Sequence, residues 1–254
     1  MNLTLIKIGL IGLLSLLVSS CMTTPQNDGY GETKLAARAR SHTDLGAAYY
    51  QQNKLEIALD EFNHAVQIDP TYGQAYNGLG LVYAALREDA QADANFKKAI
   101  QIDPKSSESH NNYGGFLCSR NRYDESIVQF LEAVKNPLYA TPNLAYANAG
   151  ICSARKNDVR NAEIYLNKAL QINPLTHSAA IQLAEIQFKR GDASTAKQTM
   201  QNALLSSPGP EALWLGIRIE RALGDKDNEA SYAMQLRQQY PNSEQTRLLL
   251  SGQR

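Results

Sequence analysis

Three cysteines and four histidines are the side chains in this sequence with the strongest chemistry of their own. A thiol can be acylated, form a disulfide, ligate a metal or act as a nucleophile. Cys21 directly follows the small residues Ser19 and Ser20, whereas Cys118 and Cys152 lie 34 residues apart deep in the chain. His42, His64, His110 and His177 fall in four separate stretches, with no Cys or His at the spacing a zinc site uses. They read as packing residues. There is no Gly-rich phosphate loop, no G-x-S-x-G elbow and no carboxylate pair whose placement argues for acid–base work. The expectation is a protein that is not an enzyme and needs no cofactor, metal or small-molecule substrate.

The elements that carry these residues repeat. Ala58, Ala92, Ser126, Ala162, Ala196 and Ala230 recur every 34 residues, with one step of 36 between Ser126 and Ala162. Gly46, Gly80, Gly114 and Gly150 precede the small residue by twelve. Phe62, Phe96, Phe130, Leu166, Met200 and Met234 follow it by four, and Pro70, Pro104, Pro174 and Pro208 by twelve. Small residues let helices approach, large apolar ones fill the space between pairs, and prolines end one unit and enter the next. Asn53, Asn121, Asn157 and Gly191 occupy the turn inside each pair, where a left-handed residue fits; Arg87 fits that slot less well.

This pattern resembles the tetratricopeptide (TPR) repeat, which implies an all-α fold, a right-handed solenoid of six helix–turn–helix repeats. The repeats are placed at 39–72, 73–106, 107–142, 143–176, 177–210 and 211–244. The sixth is degraded, with Arg218 at the glycine slot and Arg237 at the last alanine slot, though Trp214 keeps an aromatic position. Residues 243–250 suit a short capping helix, its leucines covering the last repeat within a cap at 245–254. His42 and His110 share the fourth repeat position with Tyr76, Tyr146 and Trp214.

The first twenty residues differ. Lys7 supplies a small positive region, and 8–18 is an apolar stretch too short to span a bilayer, so 1–20 reads as a secretory signal. Its end resembles the lipobox of bacterial lipoproteins. That implies cleavage before Cys21, diacylglycerol on its sulfur and a further acyl chain on its new amine. More than one chain gives stable anchoring. Met22, rather than aspartate, at the next position implies the periplasmic face of the outer membrane of a Gram-negative cell. Residues 21–38 form the lipidated cysteine and a polar, flexible tether. With Cys21 acylated, Cys118 and Cys152 remain in an oxidising compartment, on first helices of adjacent repeats. A disulfide fits if their Cα atoms come within about 7 Å; the alternative is two buried free thiols.

Charge gives no partner by itself. The 25 basic and 25 acidic residues cancel, leaving no electrostatic footprint for nucleic acid. In TPR proteins the concave wall comes from set positions of each first helix. Here these include Tyr50, Asn77, Leu81, Ala84, Asn111 and Ile151, the candidate partner-binding residues, and also Cys118. The wall is small, apolar or amide-bearing, which suits an extended segment or an amphipathic helix.

Three stretches are more specific than a TPR consensus: Asn111-Asn112-Tyr113-Gly114-Gly115-Phe116-Leu117-Cys118, then Asn136-Pro137-Leu138-Tyr139-Ala140-Thr141-Pro142, then Asn148-Ala149-Gly150-Ile151-Cys152. They resemble the type IV pilus biogenesis lipoproteins of the PilF/PilW family. The resemblance implies a pilotin, an outer-membrane lipoprotein that binds the pilus secretin subunit and promotes its localisation and multimerisation, hence pili and twitching motility. The alternative is a periplasmic TPR lipoprotein serving as adaptor for cell-wall enzymes or for outer-membrane protein assembly.

Overall fold

The computed structural model describes residues 33–205 and 207–252. The signal segment 1–20, Cys21 and most of the tether lie outside the described residues. Among those described, thirteen helices run in chain order with no strand. They are α1 (Lys34–Gln51), α2 (Leu55–Ile68), α3 (Gly73–Ala85), α4 (Asp89–Ile102), α5 (Ser107–Ser119), α6 (Tyr123–Ala133), α7 (Pro142–Arg155), α8 (Val159–Ile172), α9 (His177–Lys189), α10 (Ala193–Leu205), α11 (Pro210–Leu223), α12 (Lys226–Gln239) and α13 (Glu244–Leu250). Each odd-numbered helix from α1 to α11 packs on the even-numbered helix after it, and each pair packs on the next. Helix α1 begins at Lys34, so helix already occupies the end of the stretch assigned to the tether.

One turn recurs inside all six pairs. Asn53, Arg87, Asn121, Asn157, Gly191 and Gly224 all have positive φ, between 58° and 90°. The next amide then donates back to the carbonyl five residues earlier: Lys54 to Tyr49, Glu88 to Tyr83, Arg122 to Leu117, Asp158 to Ser153, Asp192 to Gln187 and Asp225 to Glu220. This Schellman closure satisfies carbonyls that a helix end otherwise orphans. Arg87 accepts a left-handed conformation that its Cβ resists. Arg87→Asn is therefore expected to stabilise the chain by about 0.5–1 kcal/mol, read as a higher urea midpoint.

The recurring glycine and the recurring large residue prove to be partners. An added Cβ at Gly46, Gly80, Gly114 or Gly150 would lie 2.9, 2.7, 2.8 or 2.6 Å from Phe62, Phe96, Phe130 or Leu166. The large side chain thus lies flat on a helix whose surface must be bare. Phe62 also faces the next pair, where a Cβ at Gly78 would come within 2.2 Å of its ring. The small residues Ala58, Ala92, Ser126, Ala162 and Ala196 are completely buried.

The sixth pair departs from the expected register. Pro208 still follows Pro174 by 34 residues, but α11 starts at Pro210, only 33 after the start of α9 at His177. One missing residue rotates every later helical position by about 100°. Ala230 is consequently exposed and Met234 is 50% exposed. Ala233 and Leu236 are buried instead, and the bare-glycine slot is held by buried Ile217 rather than Arg218. Arg218 pairs with Glu185 at 3.0 Å and its guanidinium stands over the Phe188 ring. Ser243 caps α13 by accepting from the Thr246 amide, and Leu249 packs on the Leu213–Leu236 cluster. Leu250 is exposed, so not all three C-terminal leucines cover the last pair.

The 36-residue step also has a structural form. Helix α6 stops at Ala133, and residues 134–141 precede α7, twice the span that links α2 to α3 or α4 to α5. Asn136 makes the same side-chain turn that Asp69, Asp103 and Asn173 make before α3, α5 and α9, accepting from the amide two residues on. The added chain leaves Leu138 89% exposed.

Candidate functional site: a cradle on the first four helix pairs

Five of the six candidate partner residues meet in two adjoining cavities. One, of about 390 Å³, is lined by Ala47, Tyr50, Gln74, Asn77, Leu81, Glu108 and Asn112 among others. The second, of about 410 Å³, shares Tyr50, Leu81 and Asn112 and adds Ala84, Asn111, Gly115, Phe116, Arg120 and Asn148. Helices α1, α3, α5 and α7 supply nearly all of this lining, because first helices share one side of a stacked array. Gly115 is exposed, and an added Cβ there would meet nothing within 4 Å, so it leaves the floor open.

The amides form an ordered row across the helices. Asn112 donates to Asn77 Oδ1 at 3.4 Å, and Asn148 donates to Asn111 Oδ1 at 3.1 Å. Each carboxamide keeps further donors or acceptors for a partner backbone. Asn77 itself is only 6% exposed, so its part is to orient Asn112 more than to touch a partner. Ile151 lies outside both cavities. It is partly buried beside the Leu166–Leu183 cluster.

Arg120, like Asn112, Phe116 and Asn148, is a lining residue that the repeat positions did not single out. Its guanidinium bonds both oxygens of Asp89 at 2.7–2.9 Å and the Ala84 carbonyl at 3.1 Å. It also stands 5.2 Å from the Phe116 ring centre. The hydrogen bond from Arg120 holds the Asp89 carboxyl below its ordinary pKa. The cradle is therefore apolar with amide spots, one neutralised ion pair and the exposed carboxylates of Asp44 and Glu108.

Beside it, burial would raise the Asp93 carboxyl, but hydrogen bonds from Lys97, Arg122 and Tyr113 outweigh that and hold it low. This ties α4 to α5 and α6. Cys118 and Cys152 form a disulfide, with Cα atoms 5.9 Å apart. Both are buried against Phe130 and Ala149, so Cys118 is withdrawn from the wall that its repeat position implied.

A further cavity of about 630 Å³ lies among α10, α11 and α12, lined by Lys197, Leu204, Glu220 and Tyr232 among others. Glu220 is 1% exposed, and Lys197 neutralises it at 2.8 Å. The histidines do not all stand alone: His42 and His64 come together with Glu61. Among the described residues no helix is long and apolar enough to cross a membrane.

Helical hairpins stacked in sequence, joined by Schellman turns and opening one side as an apolar cradle, define a tetratricopeptide-repeat scaffold. Tetratricopeptide repeat models match residues 73–106, 145–174 and 95–128, and a TPR repeat model matches 46–86. The type IV pilus assembly protein PilF of Pseudomonas aeruginosa is 30% identical over 242 residues, covering 94% of this chain and 95% of that protein. The solved structure of Pseudomonas aeruginosa PilF aligns with a TM-score of 0.76 at 29% identity, over 86% of this chain and 99% of that one. PilW, described as a widely conserved type IV pilus biogenesis factor, aligns with a TM-score of 0.73 at 31% identity, over 84% and 98%. The chain belongs to the PilF/PilW family of TPR proteins.

Proposed function

We propose that this chain is a pilotin: a lipoprotein, anchored through acylated Cys21 to the periplasmic face of the outer membrane, that works in type IV pilus biogenesis by binding the secretin subunit and promoting its multimerisation. The observation that carries the reading is kinship with a pilus assembly protein along nearly the whole chain, joined to a cradle that suits an extended or helical segment. A secretin subunit crossing the periplasm carries unpaired strand edges and apolar surface. An anchored cradle would hold one segment and raise the local concentration of subunits without needing tight intrinsic binding.

Deleting the gene is expected to deplete heat-resistant secretin multimers while monomer persists, as read on immunoblots of unboiled and boiled membranes. Normal multimers in the deletion strain would refute the assignment, and capture of cell-wall enzymes instead of secretin would favour an adaptor role. Leu81→Arg places a charge in the cradle centre, at a side chain that is partly buried on the edge of the Phe96–Phe116 cluster. It is expected to weaken secretin binding by at least about tenfold, the equivalent of 1.4 kcal/mol. Its helical content, read by circular dichroism, should stay unchanged.

A further inference from the structure

In the first and fourth repeats the fourth and twenty-sixth residues meet across the helix pair, and what surrounds the fourth position differs from repeat to repeat. In the fourth repeat the pair is Tyr146 and Lys168, whose ammonium stands 4.5 Å from the ring centre. In the third, His110 has both ring nitrogens taken by the protein. Nδ1 meets Gln129 Oε1 at 2.7 Å and Nε2 meets the Pro104 carbonyl at 3.0 Å. The first repeat replaces these neighbours with ligands. His42 Nδ1 lies 2.7 Å from Glu61 Oε2, and His64 follows Glu61 by three residues on α2. That spacing puts Glu61 and His64 on one helical face. The two imidazoles sit edge to face, 5.5 Å between centres. One donor atom from each of the three side chains falls within 4.8 Å of the others. No lysine enters this slot: the second and fourth repeats carry Lys98 and Lys168 where the first has His64.

We propose that His42, Glu61 and His64 bind one divalent transition-metal ion of the zinc type, through two imidazole nitrogens and one carboxylate oxygen, with a remaining position open to water. Imidazole with carboxylate suits such borderline ions, and two histidines plus one glutamate is a known zinc donor set. Metal–ligand bonds of 2.0–2.1 Å require donor atoms about 3.3 Å apart in a tetrahedron. The present spread closes to that by side-chain rotation, which exposed His64 is free to make. The ion would replace the His42–Glu61 hydrogen bond and clamp α1 to α2 in the first described pair. The site is separate from the cradle and does not depend on what the cradle binds.

The test uses the untagged full chain carrying Cys21→Ser, so that no free thiol competes, in a buffer that does not chelate. Titration calorimetry with zinc chloride is expected to give one ion per chain, and cobalt(II) to show the visible absorption of a low-coordinate site. Zinc should also raise the unfolding midpoint, because an ion bound only to the folded state stabilises it. His42→Gln and His64→Gln should each weaken binding at least tenfold and abolish the midpoint shift. His42→Gln keeps a hydrogen-bonding group opposite Glu61, and circular dichroism checks that both variants fold. His177→Gln, on α9, should bind as the parent does. Absence of zinc binding, or binding that survives in the His42→Gln/His64→Gln double variant, would overturn the assignment.

Discussion

Breaking the Cys118–Cys152 bond is expected to lower the unfolding free energy by about 3–4 kcal/mol, the loop-closure value for a bridge across some 35 residues. For a chain of this size that is a fall in unfolding midpoint on the order of 10 °C. The bond joins α5 to α7, the first helices of consecutive pairs, and closes over the long link at 134–141 where α6 ends early. The stack therefore has a covalent clamp at its longest step. Calorimetry of Cys118→Ala/Cys152→Ala against the parent is the cleanest check, since both sulfurs are buried and alanine leaves no unpaired polar group. An unchanged midpoint would show that packing alone holds that step.

Phe96→Ala is expected to cost about 3–5 kcal/mol, the range for emptying a buried aromatic site. Phe96 is fully buried, presses on bare Gly80, and has the Tyr113 and Phe116 ring centres at 5.6 Å. Those contacts join the second pair to the third, so the loss falls on an interface in a quasi-one-dimensional array. The single tryptophan, Trp214, lies in α11 and reports the far end of the array. In urea, the circular dichroism transition should move down and broaden, while the Trp214 fluorescence midpoint moves less. Coincident shifts of both probes would show that the array unfolds as a single unit.

The 34-residue period was readable because each slot has a local physical demand. A left-handed turn wants Asn or Gly, a close crossing wants Gly, and a buried ring needs that bare glycine opposite. Arg87 shows the limit of residue preference, since it takes the left-handed turn against its own preference under the pull of the surrounding array. The sixth unit shows the limit of the period. Ala230 and Met234 keep step in the sequence, yet a one-residue shorter entry into α11 turns α12 and brings Ala233 and Leu236 inward. The cradle was legible through Tyr50, Leu81, Ala84 and Asn111, whose repeat positions face the same side. Ile151 holds the same repeat position as Leu81 and, like it, is partly buried against a core cluster, but it lies outside the two cavities.

By itself the sequence determined the class of fold, the helix pairs, the buried register of the first five units and the family, since all of these follow from short-range preferences repeated at fixed spacing. Only the tertiary structure decided which distant side chains meet. It put Cys118 against Cys152, withdrew Cys118 from the wall, set Asn112 on Asn77 and Asn148 on Asn111, and gathered His42, Glu61 and His64. The reason is geometric. A period fixes the direction each side chain takes from its own helix, but contacts between helices depend on link lengths and helix rotation. A change of one residue at 208–210 or two at 134–141 alters these without disturbing the pattern on either side.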